Sequence, residues 1–140
     1  MYFESLNGWA TIPFVMLRKV VHSKLHMAVA TAANPEYMGS IMIDADLLAQ
    51  SGMRVNDAVL VANCRTGARF ETYIFRGEAG SGKIEVNGAA AQLVEPGDRL
   101  IVIHFALVDD AEYERHRPTV LIMDETNSVH DVLRYDRGPK

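Results

Sequence analysis

Seven stretches of this chain, residues 19–31, 40–43, 58–63, 69–75, 83–86, 99–107 and 119–123, alternate apolar with polar side chains and are rich in Val, Ile, Thr, Tyr and Phe. Successive side chains on a strand point to opposite faces, so this period buries one face and wets the other. Between the stretches lie Thr66-Gly67, the glycine-rich run 77–82, Asn87-Gly88 and Glu95-Pro96-Gly97-Asp98, the residue types that let a chain reverse. Many short strands joined this way predict a mainly β fold closed into a barrel, because closure removes unpaired sheet edges. Residues 43–52 break the period. Asp44 suits an N-cap, Leu47 and Leu48 an apolar face and Gly52 a C-terminal stop, which predicts a short helix.

The bulk composition narrows the partners. A chain of 140 residues, 49% hydrophobic, supports one domain burying about two-thirds of its unfolded surface. The formal charge is −4, with acids and bases mixed along the length. No basic stripe offers itself to nucleic acid or anionic lipid, which leaves a small molecule or a protein as partner. No apolar run approaches the ~18 residues that span a bilayer, so no membrane partner is expected. Glu4 precedes every basic residue and Cys64 is the sole cysteine. That argues against a secretory signal and an intrachain disulfide, and makes a cytoplasmic location the expectation.

Two motifs invite a sharper reading and fail on their own terms. Gly77-Glu78-Ala79-Gly80-Ser81-Gly82-Lys83 nearly spells a phosphate-binding loop, but Ile84 stands where Ser or Thr would bind magnesium. A strand also follows where the motif needs a helix N-terminus, so a glycine-rich hairpin is the expectation. His22 and His26 have metal-ligand spacing for a helix, yet on a strand they stand too far apart for one ion, at ~3.3 Å per residue. His104 and His116 add no recognisable spacing, and no metal is expected.

More telling is an ordered set: Lys24-Leu25-His26, then Tyr37-Met38-Gly39-Ser40, then Gly67-Ala68-Arg69-Phe70-Glu71-Thr72-Tyr73, then Val86-Asn87-Gly88-Ala89-Ala90-Ala91. Taken singly, Lys24 and Arg69 read as solvated charges, Thr72 and Tyr73 as strand formers, Gly39-Ser40 and Asn87-Gly88 as turns. In this order, with Gly97-Asp98 and Arg117-Pro118 further on, the chain resembles the pyruvoyl-dependent aspartate α-decarboxylases. The resemblance runs from about Met16 to Asn127, leaving residues 1–15 as an N-terminal extension and 128–140 as a polar tail. It implies a double-psi β-barrel with one or two short helices, a homotetramer with active sites between subunits, and conversion of L-aspartate to β-alanine and CO₂ for pantothenate and coenzyme A.

The resemblance also implies roles. The precursor would cut itself between Gly39 and Ser40, and Ser40 would become the pyruvoyl cofactor, an electron sink that binds the substrate amine as a Schiff base. Thr72 would hold the Gly39 carbonyl, because the oxyanion formed there needs a donor where charge develops. Tyr37 would sit at the cleavage loop, and Tyr73 would return a proton to the carbanionic carbon. A phenol of pKa about 10 stays protonated at neutral pH. Arg69, suited to bidentate carboxylate binding, would anchor substrate with Lys24 and His26 nearby. Asn87, Gly88, Ala89 and Ala90 would line the pocket around position 40.

Two positions depart from the family pattern: Met27 where Arg is common, and Ala62 where Trp is frequent. They keep open a different acidic substrate, glutamate or a sulfonated analogue, and a non-catalytic barrel that binds a protein or ligand.

Overall fold

The computed structural model describes residues 2–3 and 12–134. The expected N-terminal extension, 1–15, therefore lies largely outside the described residues, as do the last six positions of the tail. Strands β1 (Tyr2–Phe3) and β2 (Ile12–Pro13) form a small antiparallel ribbon. The rest is one mixed sheet of nine strands: β3 (Arg18–Val29), β4 (Ala32–Asn34), β5 (Ser40–Asp44), β6 (Ala58–Asn63), β7 (Arg69–Gly77), β8 (Ile84–Asn87), β9 (Arg99–Val108), β10 (Thr119–Met123) and β11 (Val129–Arg134). Helix α1 (Ala45–Ser51) follows β5, and α2 (Asp110–Arg115) follows β9.

The sheet order, β11-β10-β3-β9-β6-β7-β5-β8-β4, contains two crossings. Strand β5 lies between the consecutive strands β7 and β8, parallel to the first and antiparallel to the second. Strand β3 lies likewise between β9 and β10, antiparallel to one and parallel to the other. Each half thus threads one strand between two others that the chain joins around it, the double-psi arrangement. The glycine-rich run before β8 is accordingly a crossover past β5, and the hairpin expected there does not form.

One core serves both halves. Leu25, Ile41, Ile43, Val59, Val61, Ile74, Ile84, Val86, Leu100, Val102 and Leu121 belong to a single buried cluster. Strands at opposite ends of the sheet order can share a core only when the sheet curls onto itself. Asn127 ties the curled ends together: its Oδ1 accepts from Val29 N (2.7 Å), and its Nδ2 donates to Val29 O and Gly82 O (both 2.8 Å). It does so at φ +60, a left-handed conformation that Asn tolerates better than most residues.

Helix α1 forms where the spacing places it. Asp44 Oδ1 accepts from Asp46 N at 2.8 Å, and Gly52 closes the helix at φ +78 with its N–H on Leu48 O. The same carboxylate accepts from Gly80 N (3.0 Å) and Gly82 N (2.8 Å). Burial pushes the Asp44 carboxyl up, but the three backbone donors outweigh it and the net shift is downward. Two backbone N–H groups that a phosphate loop would present to its ligand are thus already bound.

Asp98, buried in the turn before β9, fixes the other half. It accepts from Arg65 Nε (2.6 Å) and Nη2 (3.0 Å), from Asn63 Nδ2 (2.8 Å) and from Glu95 N (2.8 Å). The Arg65 guanidinium foremost, against an opposing contribution from burial, holds the carboxyl far below the usual range. A folded pKa below the unfolded value of about 3.9 stabilises the fold above that pH, and the gain is lost as pH falls through the folded pKa. Asp98→Asn is therefore expected to cost about 2–4 kcal/mol at pH 7 and about 1 kcal/mol less at pH 3, which lies below the unfolded pKa but above the folded one. Urea titrations at the two pH values check this; an equal loss at both would refute it.

Residues 129–134, expected to be part of a polar tail, instead form β11, antiparallel to β10. Helix α2 buries none of its residues and is held by Asp109, whose Oδ1 accepts from Glu112 N at 2.8 Å.

Candidate functional site

A buried polar cluster adjoins the Gly39-Ser40 bond. Ser40 opens β5 directly opposite Asn87, the last residue of β8, and both are buried. Asn87 Nδ2 donates to Ser40 Oγ at 3.1 Å, and Ser40 Oγ donates to Met38 O at 3.3 Å. Asn87 in turn accepts from Asn34 Nδ2 at 3.0 Å. The fully buried serine is joined to a loop in which Tyr37, Met38 and Gly39 are exposed.

Gly88 presses on that loop. Its φ is +75, and a Cβ placed there would lie 2.5 Å from Gly39 Cα, 2.8 Å from Gly39 N and 3.3 Å from Tyr37 O. Only a glycine lets the two backbones approach so closely. The chain then enters a 3₁₀ turn, Gly88–Leu93, which leaves Ala89 exposed and Ala90 packed against the core.

Strand β7 flanks the same bond. Its parallel pairing with β5 begins at Ile41 and Ile74; one step earlier stand Ser40 and Tyr73, and two steps earlier Gly39 and Thr72. Among the described residues the Thr72 hydroxyl makes no hydrogen bond. Tyr73 is 38% exposed and meets Phe75 edge-on at 5.7 Å. Arg69 is exposed at the start of β7, and its cross-strand neighbour is Ala62.

Lys24 and His26 lie elsewhere. Strand β3 is separated from β7 by β9 and β6 in the sheet order, so one chain does not bring them onto the Ser40–Asn87 cluster through neighbouring strands. A bulge between Leu25 and Ala28 interrupts the pairing of β3 with β9, with Met27 at φ +64. Arg99 secures it, donating to Met27 O through Nε (2.8 Å) and Nη2 (2.6 Å) and to Met123 O (3.2 Å). His26 Nδ1 is buried without a hydrogen-bond partner. Burial foremost, then the charges of Lys24 and Arg99, lower the His26 pKa, which keeps the ring neutral at pH 7. The Nδ1 of His22, four positions earlier, lies 3.1 Å from His104 Nδ1.

Asn34 and Arg99 are the two residues that sequence reasoning missed here. Asn34 had a local signal, since it opens a turn in which its carbonyl accepts from Tyr37 N at 3.2 Å and Pro35 takes the second position. Nothing in the sequence near Arg99 points to a bulge that lies 72 positions away.

Fold and cluster together define a small β-barrel protein with a polar cluster built beside one of its own peptide bonds. A family model described as Aspartate decarboxylase matches residues 16–130, and the chain belongs to that family. It is 48% identical over 118 residues to an aspartate 1-decarboxylase of Geobacillus sp. (strain WCH70), covering 84% of this chain and 93% of that one. It is 47% identical over 114 residues to the enzyme of that name from Heliobacterium modesticaldum (81% and 86% covered). A third, from Desulfotalea psychrophila, is 44% identical over 119 residues (85% and 100% covered).

Proposed function

We propose that this chain is the precursor of a pyruvoyl-dependent aspartate 1-decarboxylase of the cytoplasm, which cuts itself between Gly39 and Ser40 and supplies β-alanine for pantothenate. The observation that supports it most is the buried Ser40, hydrogen-bonded by Asn87 beside a Gly39 backbone that Gly88 holds in close contact. Family membership and relatives named aspartate 1-decarboxylase support the same reading.

The chain's own groups account for the cut. Ser40 Oγ attacks the Gly39 carbonyl carbon; the peptide C–N bond breaks as the ester C–O bond forms, and the serine nitrogen takes the proton. β-Elimination then releases the Gly39 carboxylate, and hydrolysis of the dehydroalanine at position 40 releases ammonia. Thr72, two positions before the first paired residue of β7 as Gly39 is before that of β5, is the donor for the oxyanion. The resulting pyruvoyl group supplies an electron sink for decarboxylation. The buried setting and the Asn87 donor fit such a group.

Tyr73 serves as proton donor, a role open to an exposed phenol that stands one step from Ile74 in the register with β5. Arg69 anchors a substrate carboxylate, and Lys24 and His26 complete the site from a second copy. Their place on β3, four strand steps from β5, fits a site completed by a second copy, and the homotetramer is the assembly that family membership suggests. Ala62, paired with Arg69, presents only a methyl at that cross-strand position, and a longer acidic substrate is the alternative it keeps open.

Denaturing mass spectrometry of warmed protein should find two fragments, 1–39 and 40–140, the second beginning with a carbonyl. CO₂ release should then be faster from L-aspartate than from L-glutamate or cysteate. Full cleavage with no CO₂ from any of the three would defeat the enzymatic reading.

A further inference from the structure

We propose that Asn34 is a positioning residue for chain cleavage, acting on Ser40 through the side-chain amide of Asn87. The inference rests on the self-cleavage reading and assigns a residue that the reading does not use. Hydrogen bonds run in one direction: Asn34 Nδ2 to Asn87 Oδ1 at 3.0 Å, Asn87 Nδ2 to Ser40 Oγ at 3.1 Å, Ser40 Oγ to Met38 O at 3.3 Å.

Donor and acceptor arithmetic makes the direction matter. A serine hydroxyl has one proton and two lone pairs. With its proton on Met38 O, and one lone pair taken by Asn87, the other lone pair is free for the Gly39 carbonyl carbon. An asparagine amide can turn over and present oxygen in place of nitrogen, a turn that would swing the Ser40 proton away from Met38. Asn87 is 1% exposed, so water does not set its orientation. Asn34 biases it: its Nδ2 meets Asn87 Oδ1, so a turn of the Asn87 amide alone would set two NH₂ groups against each other, and the turned state is reached only if both amides turn together.

The backbone holds Asn34 to this task. It ends the three-residue strand β4, directly opposite Asn87 in a parallel pair, and Pro35 fixes the turn that follows. A hydroxyl held in one rotamer reacts faster than one shared among several.

The test compares cleavage rates, by denaturing mass spectrometry at several times, for wild type, Asn34→Ala, Asn87→Ala and the double variant. Asn34→Ala should cleave about tenfold more slowly than wild type, with a melting temperature within a few degrees of it. In the Asn87→Ala background the same change should slow cleavage no further, since the amide it orients is gone. Should Asn87→Ala cleave too slowly to compare, hydroxylamine capture of the Gly39 ester gives the rate of the first step for wild type and Asn34→Ala, and the tenfold ratio should reappear there. Wild-type speed in Asn34→Ala, or equal slowing in both backgrounds, overturns the proposal. A wild-type chain that stays intact instead overturns the self-cleavage reading beneath it.

Discussion

A Ser40→Ala chain is expected to fold and to remain one piece under conditions in which wild type separates fully into two fragments. The alcohol is the nucleophile of the proposed cut, and its loss leaves no group on residue 40 to form the ester. The fold should survive because Ser40 contributes one small buried side chain beside a continuous aliphatic core. What the substitution costs is the acceptor for Asn87 Nδ2, about 1–3 kcal/mol for a buried donor left unpaired. Circular dichroism should therefore show a cooperative transition at slightly lower temperature, while mass spectrometry finds only the intact chain. Fragments meeting at residues 39 and 40 in this variant would place the nucleophile elsewhere.

How far the sequence carried can be judged from particular elements. The limits of β6 and β10 are those that alternation and turn chemistry assign, and α1 begins and ends at the cap and glycine expected of it. Those signals are local, so a linear reading reaches them. Strand β4 is Ala-Ala-Asn, without a β-branched side chain, and its parallel pairing with β8 depends on residues about fifty positions away. Strand β11 has most of its residues exposed and so lacks the buried alternation by which strands are recognised. Helix α2 carried a legible sign, Asp109 followed three positions later by Glu112, a capping pattern.

The candidate site divides in the same way. Gly39, Ser40, Asn87 and Gly88 could be singled out as residue types in a familiar order, and the fold brings them together. The partners across strands were harder to read: Asn34 shows locally only as the start of a turn, not as the donor to Asn87, and Arg99 secures the distant bulge beside His26. Resemblance groups Lys24 and His26 with Ser40, whereas the sheet sets them on strands four steps apart. A sequence order does not say whether neighbours in a site come from one copy or two.

Gly88→Ala is expected to suppress cleavage by roughly a hundredfold or more, about 2.7 kcal/mol in the barrier, although residue 88 has no side chain and no reactive atom. The added methyl would sit 2.5 Å from Gly39 Cα and 2.8 Å from Gly39 N, and both obstacles are backbone, which no rotamer change can clear. The left-handed φ of +75 adds roughly 1 kcal/mol of strain for any residue with a Cβ. Relief requires Gly39 to move, and the bond to be cut moves with it while Ser40 stays fixed by β5. Displacements near 1 Å are enough to cost about two orders of magnitude where two groups must meet in a set geometry. Gly39→Ala is the companion measurement: a Cβ there meets nothing within 4 Å, so that variant should melt close to wild type while Gly88→Ala melts several degrees lower. If Gly88→Ala cleaves at the wild-type rate, the contact between the two glycine backbones does not set the geometry of the cut.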